Sequence, residues 1–357
     1  MMYKRPVWKT KIGNYAMDIH IDTLVAEDIE PLHELYNQLV GRVPYHARVR
    51  LDQFREDLRP PTLLEKPGVF LPAAEIALVA RRVSGGAERI VGLVLAGATQ
   101  EPAKFAPAQT GLIRFVLALP TEDEACRLLI RAALEHLRRF SVMRICAMPY
   151  WYGAVFYNTG CGRLSGAWPW IGHALTREGF GVLEKYGTEV RMRKEIRGRG
   201  SGMAAWGGGA GSGSGGGLSE FPAGSELRRI PAFSRAGPDF EHWYDLYISG
   251  QKAGECHTLF GENYVRGRGH QSLDVGYLEV KEQFQGRGLG RIMLREAMAA
   301  AYEAGATEAT LTTDATNFAA MNLYRSEGFE PIDLLFEFTL KDPTIVAGAN
   351  LLPIKSW

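Results

Sequence analysis

The residues best suited to chemistry lie in one run, Val280-Lys281-Glu282-Gln283-Phe284-Gln285-Gly286-Arg287-Gly288-Leu289-Gly290-Arg291, followed by the apolar Ile292-Met293-Leu294. It reads as the end of a strand, a glycine-rich turn of the form Gln-x-x-Gly-x-Gly, and the start of a helix. A turn of this kind aims consecutive backbone N–H groups and the positive end of a helix dipole at one point, which suits a phosphate. Glycine is needed where φ must be positive or where a side chain would block close approach. Arg287 and Arg291 add positive charge. Glycine turns also serve as plain connectors, so a second signal is required.

That signal follows. A β-rich stretch, Ala309-Thr310-Leu311-Thr312-Thr313-Asp314, leads into Asn317-Phe318-Ala319-Ala320-Met321-Asn322-Leu323-Tyr324-Arg325-Ser326-Glu327-Gly328-Phe329. Together the two runs resemble the diagnostic motifs of the GNAT superfamily, the general N-acetyltransferases. These are a Gln/Arg-x-x-Gly-x-Gly/Ala pyrophosphate loop and an Asn-x-x-Ala-x-x-Leu-Tyr-x-x-x-Gly-Phe segment. The resemblance covers about residues 240–340. It implies an acyl-CoA-dependent acyltransferase domain with acetyl-CoA as acyl-donor substrate and no metal.

The resemblance also implies direct transfer, in which an amine attacks the thioester without a covalent acyl-enzyme. CoA is then anchored by the backbone N–H groups of Gln285, Gly286, Arg287, Gly288, Leu289 and Gly290, with Arg291 nearby. In the family the preceding strand splays from its neighbour and binds pantetheine, which maps onto Leu278, Glu279 and Val280. Asn317 matches a position that contacts the CoA arm, although it would also serve as a helix N-cap. Tyr324 matches the general acid that protonates the leaving sulfur, and an ordinary phenol titrates near 10; the alternative is an aromatic packed on the sheet.

Asp274 stands where several family members place a catalytic Glu, and as the shorter residue it would act through water. Glu279 has the opposite parity on a regular strand, so the two would face different sides. His257 and His270 are further candidates for the base.

Around this lie the elements that must hold it. Trp243–Ser249 and Lys252–Phe260 read as a hairpin about Gly250-Gln251, and Leu273–Val280 as the strand entering the loop. A helix from Gly290 to Ala304, a strand at Ala309–Thr313, a helix at Phe318–Ser326 and a last strand at Ile332–Leu340 follow. This is an α/β layout on a mixed sheet. It lacks the two opening helices that GNAT domains carry before the hairpin.

The N-terminal half supplies a parallel set. A strand at Ile19–Ile21, a helix at Ala26–Leu39, strands at Glu75–Arg81, Arg89–Ala96 and Leu112–Leu119, and an amphipathic helix at Asp123–Arg139 are expected. Ala174-Leu175-Thr176-Arg177-Glu178-Gly179-Phe180 echoes the second motif, with Thr176 in place of the tyrosine. The expected fold is therefore two GNAT-like domains in tandem: 1–197, degenerate and non-catalytic; 198–224, a flexible Gly/Ser-rich linker; and 225–357, catalytic. In the first domain the position of the loop reads Pro120-Thr121-Glu122-Asp123-Glu124-Ala125. It has no glycine, its carboxylates would repel phosphate, and Thr121 is placed to cap the helix. Aromatics crowd Pro149–Gly172, either as packing or as an acceptor-lining surface for the other domain.

At 357 residues, with net charge +1, the chain suits two soluble domains and gives no electrostatic case for nucleic acid or membrane partners. No run approaches the ~20 apolar residues of a membrane span. Its four cysteines lack metal-ligand spacing, which suits reduced thiols in the cytoplasm. The function implied is acetyl transfer to a small-molecule primary amine, with oligomeric state open. The alternatives are a non-catalytic acyl-CoA-binding or sensing protein, transfer of a longer acyl chain or to a protein amine, and a GNAT-fold decarboxylase or hydrolase.

Overall fold

The structure, a computed structural model, describes residues 19–46, 48–58, 71–99, 109–150, 152–154, 156–157, 162–184, 186–196, 222–232, 240–260 and 272–340. Strands and helices alternate along the chain. They are β1 (Ile19–Thr23), α1 (Ile29–Val40), α2 (Leu51–Asp57), β2 (Ile76–Ser84), β3 (Ala87–Ala98), β4 (Thr110–Ala118), α3 (Asp123–Leu137), β5 (Arg144–Ala147), β6 (Leu164–Ser165), α4 (Pro169–Arg177), β7 (Phe180–Val182) and β8 (Thr188–Glu195). Then come β9 (Ser225–Ala232), β10 (Phe240–Ile248), β11 (Gln251–Phe260), β12 (Ser272–Val280), α5 (Leu289–Glu303), β13 (Glu308–Asp314), α6 (Phe318–Ser326), β14 (Glu330–Phe336) and β15 (Phe338–Leu340).

The chain divides into two compact units, 1–189 with 333–357, and 190–332. These limits differ from the expected cut at the Gly/Ser-rich segment, of which residues 198–221 lie outside the described residues. The reason is an exchange of strands. β8 runs out of the N-terminal half into the second unit, and β15, near the C-terminus, pairs with β5 and β7 in the first.

In the first unit the sheet order is β1-β2-β3-β4-β5-β15-β7. β4 is buried along its whole length, as a strand covered on both faces must be. α3 presents Ala125, Leu128, Leu129, Ala133 and Leu137 at helical spacing to that core.

In the second unit the order is β8-β13-β12-β11-β10-β9, with β12 and β13 parallel and the β9 to β12 pairs antiparallel. The hairpin turn falls at Ser249 (φ 48°) and Gly250 (φ 78°), one residue earlier than expected, because two successive positive φ values fit the strand twist. β9 and β8 carry no strong alternation and were not expected. One face of this sheet packs against α5 through Leu289, Met293, Ala297, Met298 and Ala301. No helix precedes the β10–β11 hairpin in this unit among the described residues.

Candidate active site

The centre of the second unit is a parting of two parallel strands. β12 and β13 pair from Ser272↔Glu308 only as far as Val275↔Leu311, although β12 continues to Val280 and β13 to Asp314. At the parting β12 is also bulged. Val275 lies opposite Thr258 and Tyr277 opposite His257, leaving Gly276 as the extra residue.

The bulge changes which side chains share a face. Residues in register across an antiparallel pair point the same way. Asp274 (opposite Leu259), Tyr277 (opposite His257) and Glu279 (opposite Glu255) therefore lie on one face. The parity of a regular strand had put Asp274 and Glu279 on opposite sides. One inserted residue reverses that result. The other face holds Leu273, Val275, Leu278 and Val280, which belong to the α5 core.

Beyond Val280 the chain forms one turn of 3₁₀ helix (Glu282–Phe284) and then the glycine loop. Gly286 has φ 75° and Gly288, the N-cap of α5, φ 76°. A Cβ at either would meet nothing within 4 Å, so the backbone conformation itself calls for glycine there, and open space lies over both. Gly290 has no such φ; a Cβ there would touch Leu323 Cδ2 at 3.5 Å and Val280 Cγ2 at 3.6 Å. The end of β12, the start of α5 and α6 thus meet at Gly290. Helix geometry leaves the N–H groups of Leu289, Gly290 and Arg291 without intrahelical acceptors.

Two loop residues are engaged otherwise than the motif suggests. The Gln285 N–H donates to Glu282 O at 3.1 Å, so it is spent within the turn. Its side chain instead braces the loop, Nε2 donating to Val280 O at 2.8 Å. Arg291 is held by α6, with Nη2 donating to Ser326 Oγ at 2.9 Å and Nε 2.8 Å from Glu327 Oε1. Glu327, buried, also takes both bonds of Arg295 at 2.7 and 2.9 Å. Much of the charge of Arg291 is thereby offset, and its position ties α5 to α6. Arg287 is exposed and donates to Gln283 O at 3.3 Å.

Asn317 is the N-cap of α6, its Oδ1 accepting the Ala320 N–H at 3.1 Å. The cap uses the oxygen and not the amide nitrogen. Tyr324, two turns further, is 7% exposed and packs edge-on to Phe329 at 6.0 Å between ring centroids. Burial, reinforced by the neighbouring Cys256 thiol, pushes its phenol up to about 12. Its hydroxyl has no hydrogen-bond partner among the described residues.

Asp274 lies in the last paired stretch, its Oδ1 accepting the Thr310 hydroxyl at 2.8 Å. Burial raises its carboxyl above the ordinary range, against the opposing influence of Arg191, Thr310 and His257. A carboxyl raised in the fold favours folding while protonated. That contribution is lost as pH rises from its unfolded value of 3.8 through the folded one. Asp274→Asn should therefore raise Tm at pH 7, with the gain vanishing near pH 3; paired thermal melts check this, and a lower Tm at pH 7 would contradict it.

His257 sits across the bulge. Its Nε2 is 2.6 Å from Glu241 Oε1, and its ring stacks on Trp243 at 4.1 Å and 13°. His270 lies outside the described residues. Among the described residues no group of three or more His, Cys, Asp or Glu could hold a metal, and no helix is long and apolar enough to cross a membrane.

The first unit has the same parting with a different filling. β4 and β5 pair from Thr110↔Arg144 to Ile113↔Ala147. Beyond that, Met148 N–H donates to Ile113 O at 2.9 Å and Trp170 Nε1 to Ala118 O at 2.9 Å. Phe156, Tyr157 and Trp168 are fully buried in this core, Trp168 stacking on Tyr157 at 5.1 Å. Of the two readings of the aromatic run, packing accounts for these three; Trp151 lies outside the described residues. Where a phosphate loop would lie, Glu122 rather than Thr121 is the N-cap position, and its carboxylate binds Arg82 and Arg89.

Comparison with known proteins agrees with this geometry. Residues 226–329 match the family model described as the Acetyltransferase (GNAT) family. No curated protein matches significantly. Among solved structures, the chain is similar to a tandem GNAT protein from the clavulanic acid biosynthesis pathway, at 14% identity and a TM-score of 0.58, covering 90% of this chain and 98% of that one. It is also similar to a GCN5-related N-acetyltransferase from Sphaerobacter thermophilus, at 11% identity and a TM-score of 0.55, covering 90% and 95%. Residues 226–329 are thus a GNAT-family domain, and the chain as a whole has the fold of tandem GNAT proteins.

Proposed function

We propose that this protein transfers the acetyl group of acetyl-CoA directly to a small-molecule primary amine, with the second unit catalytic and the first not. One observation carries the reading: β12 parts from β13 beside a loop whose two positive-φ glycines face open space, and the Tyr324 phenol in the adjoining core has no hydrogen-bond partner among the described residues. In this proposal the N–H groups from Gly286 to Arg291 hold the pyrophosphate, with Arg287 adding charge. Gln285 fixes the loop to β12. The exposed backbone of Leu278, Glu279 and Val280 takes the pantetheine arm as a further strand would. Asn317 uses its amide nitrogen toward the CoA arm while its oxygen caps α6. Tyr324 gives a proton to the departing sulfur. Asp274, acting through water, and His257 are the candidates on one face beside the parting to take the proton of the incoming ammonium.

In the first unit, Glu122 occupies the phosphate position and Trp170 engages Ala118 O, which supports a structural role for that unit.

The test is release of free CoA thiol from acetyl-CoA against a panel of primary amines, including diamines, amino sugars and arylamines. Amine-dependent release supports transfer. Equal release without amine favours a hydrolase, and tight acetyl-CoA binding with no release from any amine favours a sensor.

A further inference from the structure

We propose that His257, oriented by Glu241, is the group that takes the proton from the attacking amine, an inference that rests on the transferase reading above. Glu241 Oε1 lies 2.6 Å from Nε2, and an ionised carboxylate only accepts hydrogen bonds. The proton of the neutral ring is thereby assigned to Nε2, and the lone pair to Nδ1. Trp243, stacked at 4.1 Å and 13°, fixes the plane of the ring.

Nδ1 lies beside the bulge, next to the last paired position of β12 and β13. The nearest atom to a Cβ built on Gly276 is His257 Nδ1, at 3.5 Å. Gly276 is the bulge residue immediately after Val275, where the β12–β13 pairing ends. Any side chain at 276 would stand between the imidazole and the opening, and glycine leaves the approach clear. Tyr324 belongs to the core on the α5 face of the sheet, whereas His257, opposite Tyr277, is on the other face. An acyl group lying in the parting would have the phenol on one side and the imidazole on the other. That is the arrangement a transfer needs when one proton leaves nitrogen and another reaches sulfur.

Asp274 is less well placed for direct contact. Its Oδ1 is bound to Thr310 within the stretch where the strands are still paired. Among the described residues, the charged and titratable groups on the face of His257 are Glu241 and Asp245 from β10, Lys252 and Glu255 on its own strand, Asp274, Tyr277 and Glu279 from β12, and Arg191 from β8, which acts on Asp274. Glu241, at Nε2, stands to the ring as the carboxylate does in a Ser-His-Asp triad.

The step balances. An ammonium gives one proton to Nδ1, which passes it to solvent. The amine nitrogen bonds to the acyl carbon and the carbon–sulfur bond breaks. The second nitrogen proton replaces the one that Tyr324 delivers to the thiolate. The products are an amide, CoA thiol and one released proton.

Two experiments on the full chain test this. The first needs no acceptor. Chloroacetyl-CoA, bound where acetyl-CoA binds, should alkylate His257, forming a nitrogen–carbon bond with loss of chloride. Peptide mass spectrometry should find the label on His257 and find it suppressed by excess acetyl-CoA. Bound reagent that labels Asp274 or Cys256 instead, or leaves His257 unmodified, would overturn the proposal. Failure of either acyl-CoA to bind by calorimetry would remove the transferase reading itself, and this proposal with it.

The second experiment is the pH profile of kcat/KM with any amine the thiol assay identifies. His257→Gln should lower it about 10²-fold at pH 7 and abolish its acid limb, while the acetyl-CoA Kd stays within about twofold. Glu241→Gln should move the acid limb to lower pH, because the imidazolium loses its counter-charge. Asp274→Asn should leave the limb in place. An acid limb kept by His257→Gln and lost in Asp274→Asn would assign the base to Asp274. Should His257→Gln fail to fold, the labelling of the wild type still decides.

Discussion

Tyr324→Phe should lower kcat for amine acetylation about 10²-fold and leave the acetyl-CoA Kd and Tm almost unchanged. The reason lies in what the hydroxyl does in the free protein. Tyr324 is 7% exposed and its ring packs on Phe329, but its oxygen has no hydrogen-bond partner among the described residues. Deleting that oxygen removes no internal hydrogen bond, so stability has little to lose. Burial and the Cys256 thiol push the phenol up to about 12, so the proton stays in place at every pH where the protein would be assayed. A thiolate expelled nearby finds a donor that has not already ionised. The variant keeps the ring and its packing and loses only that proton. A fall in kcat at constant Kd marks an interaction made in the transition state. If kcat is unchanged, Tyr324 is a packing residue and the acid lies elsewhere. Steady-state kinetics with calorimetry and a thermal melt separate the outcomes.

How much of this was legible in sequence depends on what each signal encodes. The loop and α6 were read to within a residue, because glycines at positive φ and an Asn N-cap are local requirements written in local residue types. The α/β layout followed from alternation and helical spacing for the same reason. Three things were not legible. The exchange of β8 and β15 between the units is a matter of tertiary pairing, and neither strand carries a pattern naming its partner. The bulge at Gly276 is a single unpaired residue, and only the pairing to β11 reveals it. Its consequence is large for its size. It puts Asp274 and Glu279 on one face, where a regular strand would separate them, and it turns Gly276 toward His257. The engagement of Arg291 by Glu327 was likewise out of reach, since it depends on how α5 and α6 pack. A motif match specified the residue types, and the packing decided which of them are already occupied.

Gly288→Ala should weaken acetyl-CoA binding by about tenfold or more while lowering Tm by only a few degrees, and the disproportion is the point of the test. In the free protein a Cβ at 288 meets nothing within 4 Å, so no clash contributes to the cost. What remains is the left-handed backbone, φ 76°, which costs an L-residue roughly 1–2 kcal/mol. If the loop relaxes to escape that strain, the N–H groups of Leu289, Gly290 and Arg291 no longer converge. If it does not relax, the methyl group occupies the space where a phosphate would sit. Either route weakens anion binding more than folding, since about 1.4 kcal/mol is already tenfold in Kd. Gly290→Ala is the control. Its φ is ordinary and its Cβ would make normal contacts with Leu323 and Val280, and alanine favours a helix over glycine by about 1 kcal/mol. That variant should hold or gain stability. Lost affinity in Gly290→Ala would show that phosphate approaches the helix start too closely for a side chain, whereas retained affinity would place the requirement in the backbone conformation at 286 and 288. Equal acetyl-CoA affinity in wild type and Gly288→Ala would mean that this loop merely joins β12 to α5. A phosphate site made of backbone amides cannot be indifferent to their direction.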